Sequence, residues 1–421
     1  MAQDGESTGG ASARRSLAAL LRAFTFNGRP TIVERRNGVD FYFNEFWTAR
    51  QRQAHRLHEI SYRACFKPQL PAFFIERLTR RGDRVYDPFM GRGTTPIQAA
   101  LMGRIALGND VNPLSAMLTR PRLNPPPLGE IARRLEEIDW TYRDEMPRVL
   151  LTFFHRRTLA RIMALRAYLR RREDEGALDG VDEWIRMVAV NRLTGHSPGF
   201  FSVYTLPPNQ AASLAAQRRI NSKLGQRPPE RDVAAIILKK SRALLCDAPA
   251  LSCREPLLMA ASAESTPQIA SSSVDLVVTS PPFLDLVPYA SDNWLRCWLV
   301  GLDPGVIPIA MHRDPSDWTA FISRVLRELA RVTRVGGFVA FEVGEVRGGA
   351  IELETLALSA AQGLPFTPLG VIVNVQNFTK TANCWGVVNN AKGTNTNRIV
   401  LLRRDEGRGE AVRSRRRAVG L

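Results

Sequence analysis

The chain alternates short, continuous apolar runs with longer amphipathic stretches, and glycines or prolines mark most of the joins. Phe66 to Leu78, with Pro68, Phe73, Phe74, Ile75 and Leu78 in phase, predicts a helix entered through prolines. Gly82-Asp83 ends it. Arg84-Val85-Tyr86 then predicts a strand, Thr95 to Met102 a helix capped by Gly103, and Ile105 to Asn109 a second strand ending at Asp110. Strand, loop, helix and strand in that order start a βαβ unit with a parallel sheet. A proline-rich break covers Pro121 to Pro127, and residues 128–250 read as mainly helical. The α/β pattern resumes near Pro256. It continues as a buried strand at Val274–Thr279, a helix near Trp294–Leu299 and another from Trp318 to Val332. A Gly336-Gly337 turn, a strand at Phe338–Val343, and a closing pair at Val371–Gln376 and Arg398–Leu402 follow. No internal repeat is present.

The strand at Val274–Thr279 ends in Ser280-Pro281-Pro282-Phe283. Neither proline donates a ladder hydrogen bond, so the chain turns there. A hydroxyl, a free carbonyl and an aromatic ring are left side by side at a strand's C-terminal end. Those groups suit a flat, amino-bearing ring such as a nucleobase.

A second cluster lies between the first strand and its helix: Asp87-Pro88-Phe89-Met90-Gly91-Arg92-Gly93-Thr94-Thr95. Its glycines let backbone pass close under a ligand, and the helix start offers unpaired N–H groups. Asp87 is placed to accept a hydrogen bond from an ammonium group. Asp110, at the next strand's end, is placed to grip ribose hydroxyls, because ligands of open α/β sheets bind beyond the strands' carboxyl ends. A nicotinamide fingerprint would want a third glycine where Pro96 stands.

Asp87 to Thr95 resembles the S-adenosylmethionine-binding motif of amino-group DNA methyltransferases, and Ser280-Pro281-Pro282-Phe283 is similar to their catalytic motif. Phe66-Lys67-Pro68 resembles the additional cofactor motif of that family. The likeness spans roughly residues 55–120 and 255–405. It implies a Rossmann-like class I methyltransferase fold with a mostly parallel sheet, interrupted by a mainly helical insertion. It also implies S-adenosylmethionine as cofactor, held by Lys67 and Pro68, by Asp87, Pro88, Phe89, Gly91, Gly93, Thr94 and Thr95 in the loop, and by Asp110. The catalytic set is Ser280, Pro281, Pro282 and Phe283, with no metal. The leading serine is typical of N4-cytosine enzymes. Two departures stand out: Ala261-Ser262-Ala263-Glu264 occupies the place of the family's usual Gly-Asp-Ala, and Phe283 replaces the commoner tyrosine.

The resemblance thus implies methyl transfer to the N4 amino group of cytosine in DNA, on a flipped or single-stranded base. Adenine N6, an RNA base, and a catalytically silent nucleic-acid binder remain open, as does a restriction endonuclease partner. The expected organisation is a disordered tail (1–14), an arm with the cofactor half (15–125), the helical insertion (126–254), the catalytic half (255–404) and a basic tail (405–421). Two segments are candidates for target recognition: His196 to Gln210 with Arg218 and Arg219, and the Asn- and Thr-rich stretch 374–398. Packed loops and a hairpin connection are the plain alternatives for them.

Composition adjusts this picture only modestly. At 421 residues, with 44% hydrophobic and 24% charged residues, the chain is long enough for two or three domains. A net charge of +17 suits a polyanionic partner, although arginine-rich coding also inflates such a count; all but six of the basic residues are arginines. No apolar run reaches the roughly 18 residues of a membrane span, and the first ten residues have no apolar signal core, so no secretion is expected. The five cysteines form no Cys-x-x-Cys pair. A cytoplasmic location is expected.

Overall fold

The computed structural model describes residues 17–48, 54–63, 65–247, 253, 255–284, 289–346, 350–375 and 396–406. Residues 1–14, most of the 374–398 stretch, and all of the basic tail beyond residue 406 lie outside them.

A nine-stranded sheet organises the described residues. In chain order its strands are β1 (Ile32–Arg36), β2 (Val39–Asn44), β3 (Arg84–Asp87), β4 (Ile105–Asn109), β5 (Leu257–Met259), β6 (Val274–Thr279), β7 (Thr333–Val343), β8 (Phe366–Val375) and β9 (Thr396–Arg404). Across the sheet they run β1-β2-β8-β9-β7-β6-β3-β4-β5. Every pairing from β7 across to β5 is parallel, as is that of β2 with β8. Between those blocks β9 inserts antiparallel to both β7 and β8. The chain winds outward from β3 to β5, then returns to lay β6 on the other side of β3. That reversal leaves a crevice beyond the ends of β3 and β6, where open α/β sheets bind ligands.

The parallel strands are buried on both faces, as continuous apolar runs require. Val85, Leu276, Val278 and Ala340 join one core, while Tyr86, Val277, Val339 and Phe341 join the other. The second core is covered by Pro315–Val332 and Leu353–Ala360. The first is covered by α1 (Gln69–Leu78), α2 (Thr94–Leu101), α3 (Pro113–Leu123) and the helices of residues 128–245. Trp184, Phe153 and Ile162 of that helical segment belong to the same continuous core as Val85 and Leu276.

Three local features differ from the sequence reading. Asn37-Gly38, both with positive φ, turns β1 into β2, a hairpin that the weak alternation of Ile32–Arg36 had concealed. The helix α3 runs through Pro121, which sits in its last turn, so the break begins after Leu123. Gly336-Gly337 does not end an element. It forms a bulge inside β7, where the register against β6 shifts between Val274 and Leu276.

The helical segment is held by more than apolar packing. Asp182, fully buried, accepts from Arg134 Nη1 at 2.5 Å, Tyr168 Oη at 3.1 Å and Arg172 Nε at 3.0 Å. Removing one partner of such a set strands the others in a poorly solvated site. Asp182→Ala is expected to cost about 3–5 kcal/mol of stability, measured by urea unfolding. A loss below about 1 kcal/mol would show that Asp179, which already binds both arginines, holds them without Asp182.

Candidate active site

The register of the sheet sets the site. Asp87 pairs with Gly108 on one side, and Tyr86 with Val277 on the other. Asp87 therefore ends level with Val278, one residue short of Thr279. The Thr279 hydroxyl donates to Asp87 Oδ1 at 2.6 Å, and Phe89 N donates to the same oxygen at 3.0 Å. Asp87 Oδ2 is buried and has no partner. Burial raises this carboxyl from the ordinary range to about 7, against the lowering effect of Thr279, Phe89 and Thr95.

The glycine loop folds tightly over α2. Gly93 caps that helix with φ +79°, and Thr95 Oγ1 donates to Val278 O at 3.0 Å, fastening the helix start to β6. Asp110 accepts from Gly91 N at 2.9 Å and from Asn112 N at 2.9 Å. Burial raises its carboxyl, and those two N–H groups oppose the shift.

Beneath the loop lie two buried arginines. Arg122 donates to Leu118 O, Leu57 O and Arg92 O, and Arg92 donates to Ile60 O, Phe66 O and Thr94 Oγ1. Together they bind the arm of residues 57–66 to the glycine loop through its carbonyls. His58 sits among them, donating or accepting against Gln98 Oε1 at 3.0 Å. Burial, with Arg122 and Arg92, pushes it down to about 3, so it is neutral.

A cavity of about 380 Å³ joins the two motifs. Pro88, Phe89, Gly91, Thr94 and Asp110 line it from the cofactor-type loop, and Ser280, Pro281, Pro282 and Phe283 from the proline turn. Lys67 and Pro68 fall just behind its wall: Phe66 lines the cavity, Lys67 O accepts from Leu70 N, and Pro68 precedes α1. Asp87, Gly93 and Thr95 also lie behind the wall, where they shape the loop.

The proline turn is braced from behind. Trp318 Nε1 donates to Pro282 O at 2.7 Å. The ring of Phe283 lies against Gly344, where a Cβ would come within 2.7 Å of it. Ser280 hydrogen-bonds Glu342, a buried carboxylate of β7 that also accepts from Asn397 Nδ2 at 2.9 Å. Burial raises the Glu342 carboxyl, and the Ser280 and Asn397 hydrogen bonds oppose that shift.

Sequence reasoning missed several residues of the site. Tyr62, Cys65 and Tyr289 line the cavity, with the two tyrosine rings 6.5 Å apart. Glu342 lies 62 positions from Ser280 along the chain and carries no motif, and only the β6–β7 pairing brings them together. Ser262, Ala263 and Glu264, from the stretch that the sequence already set in the place of the family's Gly-Asp-Ala, line the cavity as well, with Glu264 bridged to Arg324 at 3.0 Å.

The helix after the turn begins at Tyr289, earlier than the Trp294 expected from the sequence. Asp292 accordingly sits in the first turn and binds Arg63 at 3.0 Å, while Arg63 also donates to Gln210 Oε1. Ala211 N donates to Asp292 O and Trp294 Nε1 to Ala212 O, so the 196–212 loop is docked on this helix. Phe200, Phe201 and Val203 of that loop are buried; His196, Ser197 and Pro198 are exposed. Asp285 lies outside the described residues.

Residues 25–116 match the family model described as DNA methylase, of the N6 and N4 type. Over that stretch the chain is similar to that family. The match covers the β1–β2 hairpin, the arm, the glycine loop and Asp110, and it ends before the proline turn. Curated methylase relatives agree over the same kind of span. The chain is 34% identical over 94 residues to the Type II methyltransferase M.MvaI of Kocuria varians, covering 21% of this chain and 20% of that one. It is 36% identical over 74 residues to the Type II methyltransferase M.MjaII of Methanocaldococcus jannaschii, covering 18% and 14%. The chain thus spans a fifth or less of the length of these relatives. Among solved structures, a DNA modification methylase from Thermus thermophilus, complexed with S-adenosyl-L-methionine, is 24% identical over 33% of this chain and 50% of that one, with a TM-score of 0.20. A geranyl diphosphate methyltransferase is 9% identical over 80% and 79%, with a TM-score of 0.34. The α/β fold described above rests on the strand order itself. No helix among the described residues is long and apolar enough to cross a membrane.

Proposed function

We propose that this chain is an S-adenosylmethionine-dependent DNA methyltransferase acting on the N4 amino group of cytosine. The observation that carries the reading is a single cavity with two unlike walls. One wall is the glycine loop with Asp110, behind which Asp87 keeps a buried carboxylate oxygen without a hydrogen-bond partner, and the other is a serine, two prolines and an aromatic ring.

The residues present fit the cofactor. The unpartnered Asp87 Oδ2 suits the ammonium of a methionyl group. Asp110, fixed by two backbone N–H groups, keeps lone pairs for a ribose diol. Phe89 and Phe321, with ring centroids 6.1 Å apart, offer apolar contact to a flat ring. When bound, the cofactor supplies an electrophilic methyl on a sulfonium.

The amino group of cytosine is a poor nucleophile, because its lone pair is delocalised into the ring. Ser280 Oγ, oriented by Glu342, and the Pro281 carbonyl are the acceptors for its two N–H bonds. The neighbouring Pro282 carbonyl is already taken by Trp318. Phe283 stacks on the base. An amino nitrogen that gained that methyl would have to lose one proton. We assign Glu342, joined to Ser280, to take it. Positioning and electrostatics provide the acceleration.

The deciding experiment incubates the protein with cofactor and separate DNA and RNA pools, followed by mass spectrometry of nucleosides. N4-methylcytosine from DNA is expected. N6-methyladenine as sole product would overturn the cytosine assignment, and a product from RNA alone the DNA assignment. Ser280→Ala is expected to lower kcat about 10²–10³-fold with cofactor affinity unchanged. Full activity in that variant would remove the hydroxyl from the mechanism.

A further inference from the structure

The loop of residues 301–314, between the helix Tyr289–Val300 and the helix Pro315–Val332, carries an unusual run. Pro304-Gly305-Val306-Ile307-Pro308-Ile309-Ala310-Met311 has eight consecutive residues without one polar side chain, in a chain with net charge +17. Its residues divide between two surroundings. Pro308, Ile309 and Ala310 line the cavity that also holds Ser280 to Phe283. Val306 and Met311 project outward, 74% and 66% exposed, the highest values among the exposed large apolar residues of the described chain. Two prolines, the Ile309 N to Ile307 O hydrogen bond at 2.8 Å and the Gly305 N to Asp303 Oδ1 bond at 2.8 Å hold the loop's form before any partner arrives.

Resting on the proposed function, we propose that Val306 and Met311 form a wedge that enters the duplex step vacated by the target base. The position argues for nucleic acid over a partner protein. Whatever covers the tip lies one loop thickness from the catalytic turn, which is where the substrate must be. The chemistry agrees. A base withdrawn from a stack leaves an apolar slot, and apolar side chains such as Ile, Leu, Met and Pro fill such slots in proteins that unstack DNA. The two prolines and two local hydrogen bonds lower the ordering required on contact. Exposed valine and methionine bulk gives the free protein no evident benefit, so burial against unstacked bases supplies the compensating gain.

The test compares two double variants of the full chain, Val306→Ser with Met311→Ser, and Val306→Leu with Met311→Leu. Both substitute side chains that are mostly in solvent, so folding is expected to persist. The serine pair is expected to lower the methylation rate on unmethylated duplex DNA tenfold or more, and the leucine pair to keep it within about threefold, because a wedge needs apolar bulk. Cofactor affinity by calorimetry is expected to be unchanged in both. An undiminished rate in the serine pair, or an equal loss in the two pairs, overturns the wedge. Capture of a protein with loss of that capture in the serine pair, while duplex methylation is unchanged, assigns the tip to a protein partner and likewise overturns it. A parent chain that binds cofactor yet methylates no nucleic acid fails the proposed function instead.

Discussion

Replacing Asp87 with Asn is expected to weaken S-adenosylmethionine binding roughly a hundredfold, the scale of one lost charge-assisted hydrogen bond in a buried site. The same substitution should remove a pH dependence that the unaltered protein shows. In the free protein burial raises the Asp87 carboxyl to about 7, so below that pH it carries a proton. An ammonium partner requires the ionised form. Affinity should therefore fall about tenfold for each pH unit below about 7 and level off above it. Calorimetry across that range checks this, and a flat affinity profile would deny Asp87 the ammonium. Stability runs the other way. A carboxyl whose folded-state value is raised contributes fully below its unfolded value, and that contribution is lost as pH rises through about 7. Asn cannot ionise, so the variant without cofactor should be the more stable form at pH 8, read as a higher Tm. Gain of stability with loss of binding is the expected signature of a buried functional charge.

Gly93→Ala is expected to cost about 3–5 kcal/mol and to abolish cofactor binding. Two causes add. The position has φ +79°, which L side chains rarely adopt, and an added Cβ would lie 2.3 Å from Thr119 Oγ1. Thr119 cannot withdraw easily, because it is fully buried in α3 and donates to Ser115 O at 2.8 Å. Gly91→Ala provides the contrast. Its φ is also positive, at +50°, but the nearest atom to a Cβ is Cys65 Sγ at 3.5 Å. Strain alone then applies, and a loss of about 1–2 kcal/mol is expected. Thermal unfolding of the pair checks the difference. Equal losses would mean that the Thr119 contact relaxes and only the backbone angle matters.

Much of the site was legible because its parts are local. The glycine loop, Asp110 and the proline turn each consist of residues close in sequence whose backbone needs announce themselves. Prolines end a strand, glycines make a tight turn, and an acid follows a strand. Helices and strands with continuous or periodic apolar patterns were legible for the same reason, as Ile105–Asn109 and Val274–Thr279 show. The β1–β2 hairpin was not, since an edge strand with the burial of Ile32–Arg36 needs little apolar alternation. Its Asn37-Gly38 turn was the one signal available. The Gly336-Gly337 pair misled in the opposite sense, because glycines mark bulges as readily as turns.

The α/β order, the cofactor-type loop and the proline turn are written in the chain itself, since each follows from short-range backbone geometry. That the two motifs share one cavity is a property of the assembled sheet, because it depends on β6 returning to pair with β3. The groups that stand behind the motifs are likewise a matter of long-range assembly. Glu342 behind Ser280, Trp318 on the Pro282 carbonyl, and Arg92 with Arg122 under the loop are contacts between distant segments, set by sheet register and by the need of buried polar groups for partners.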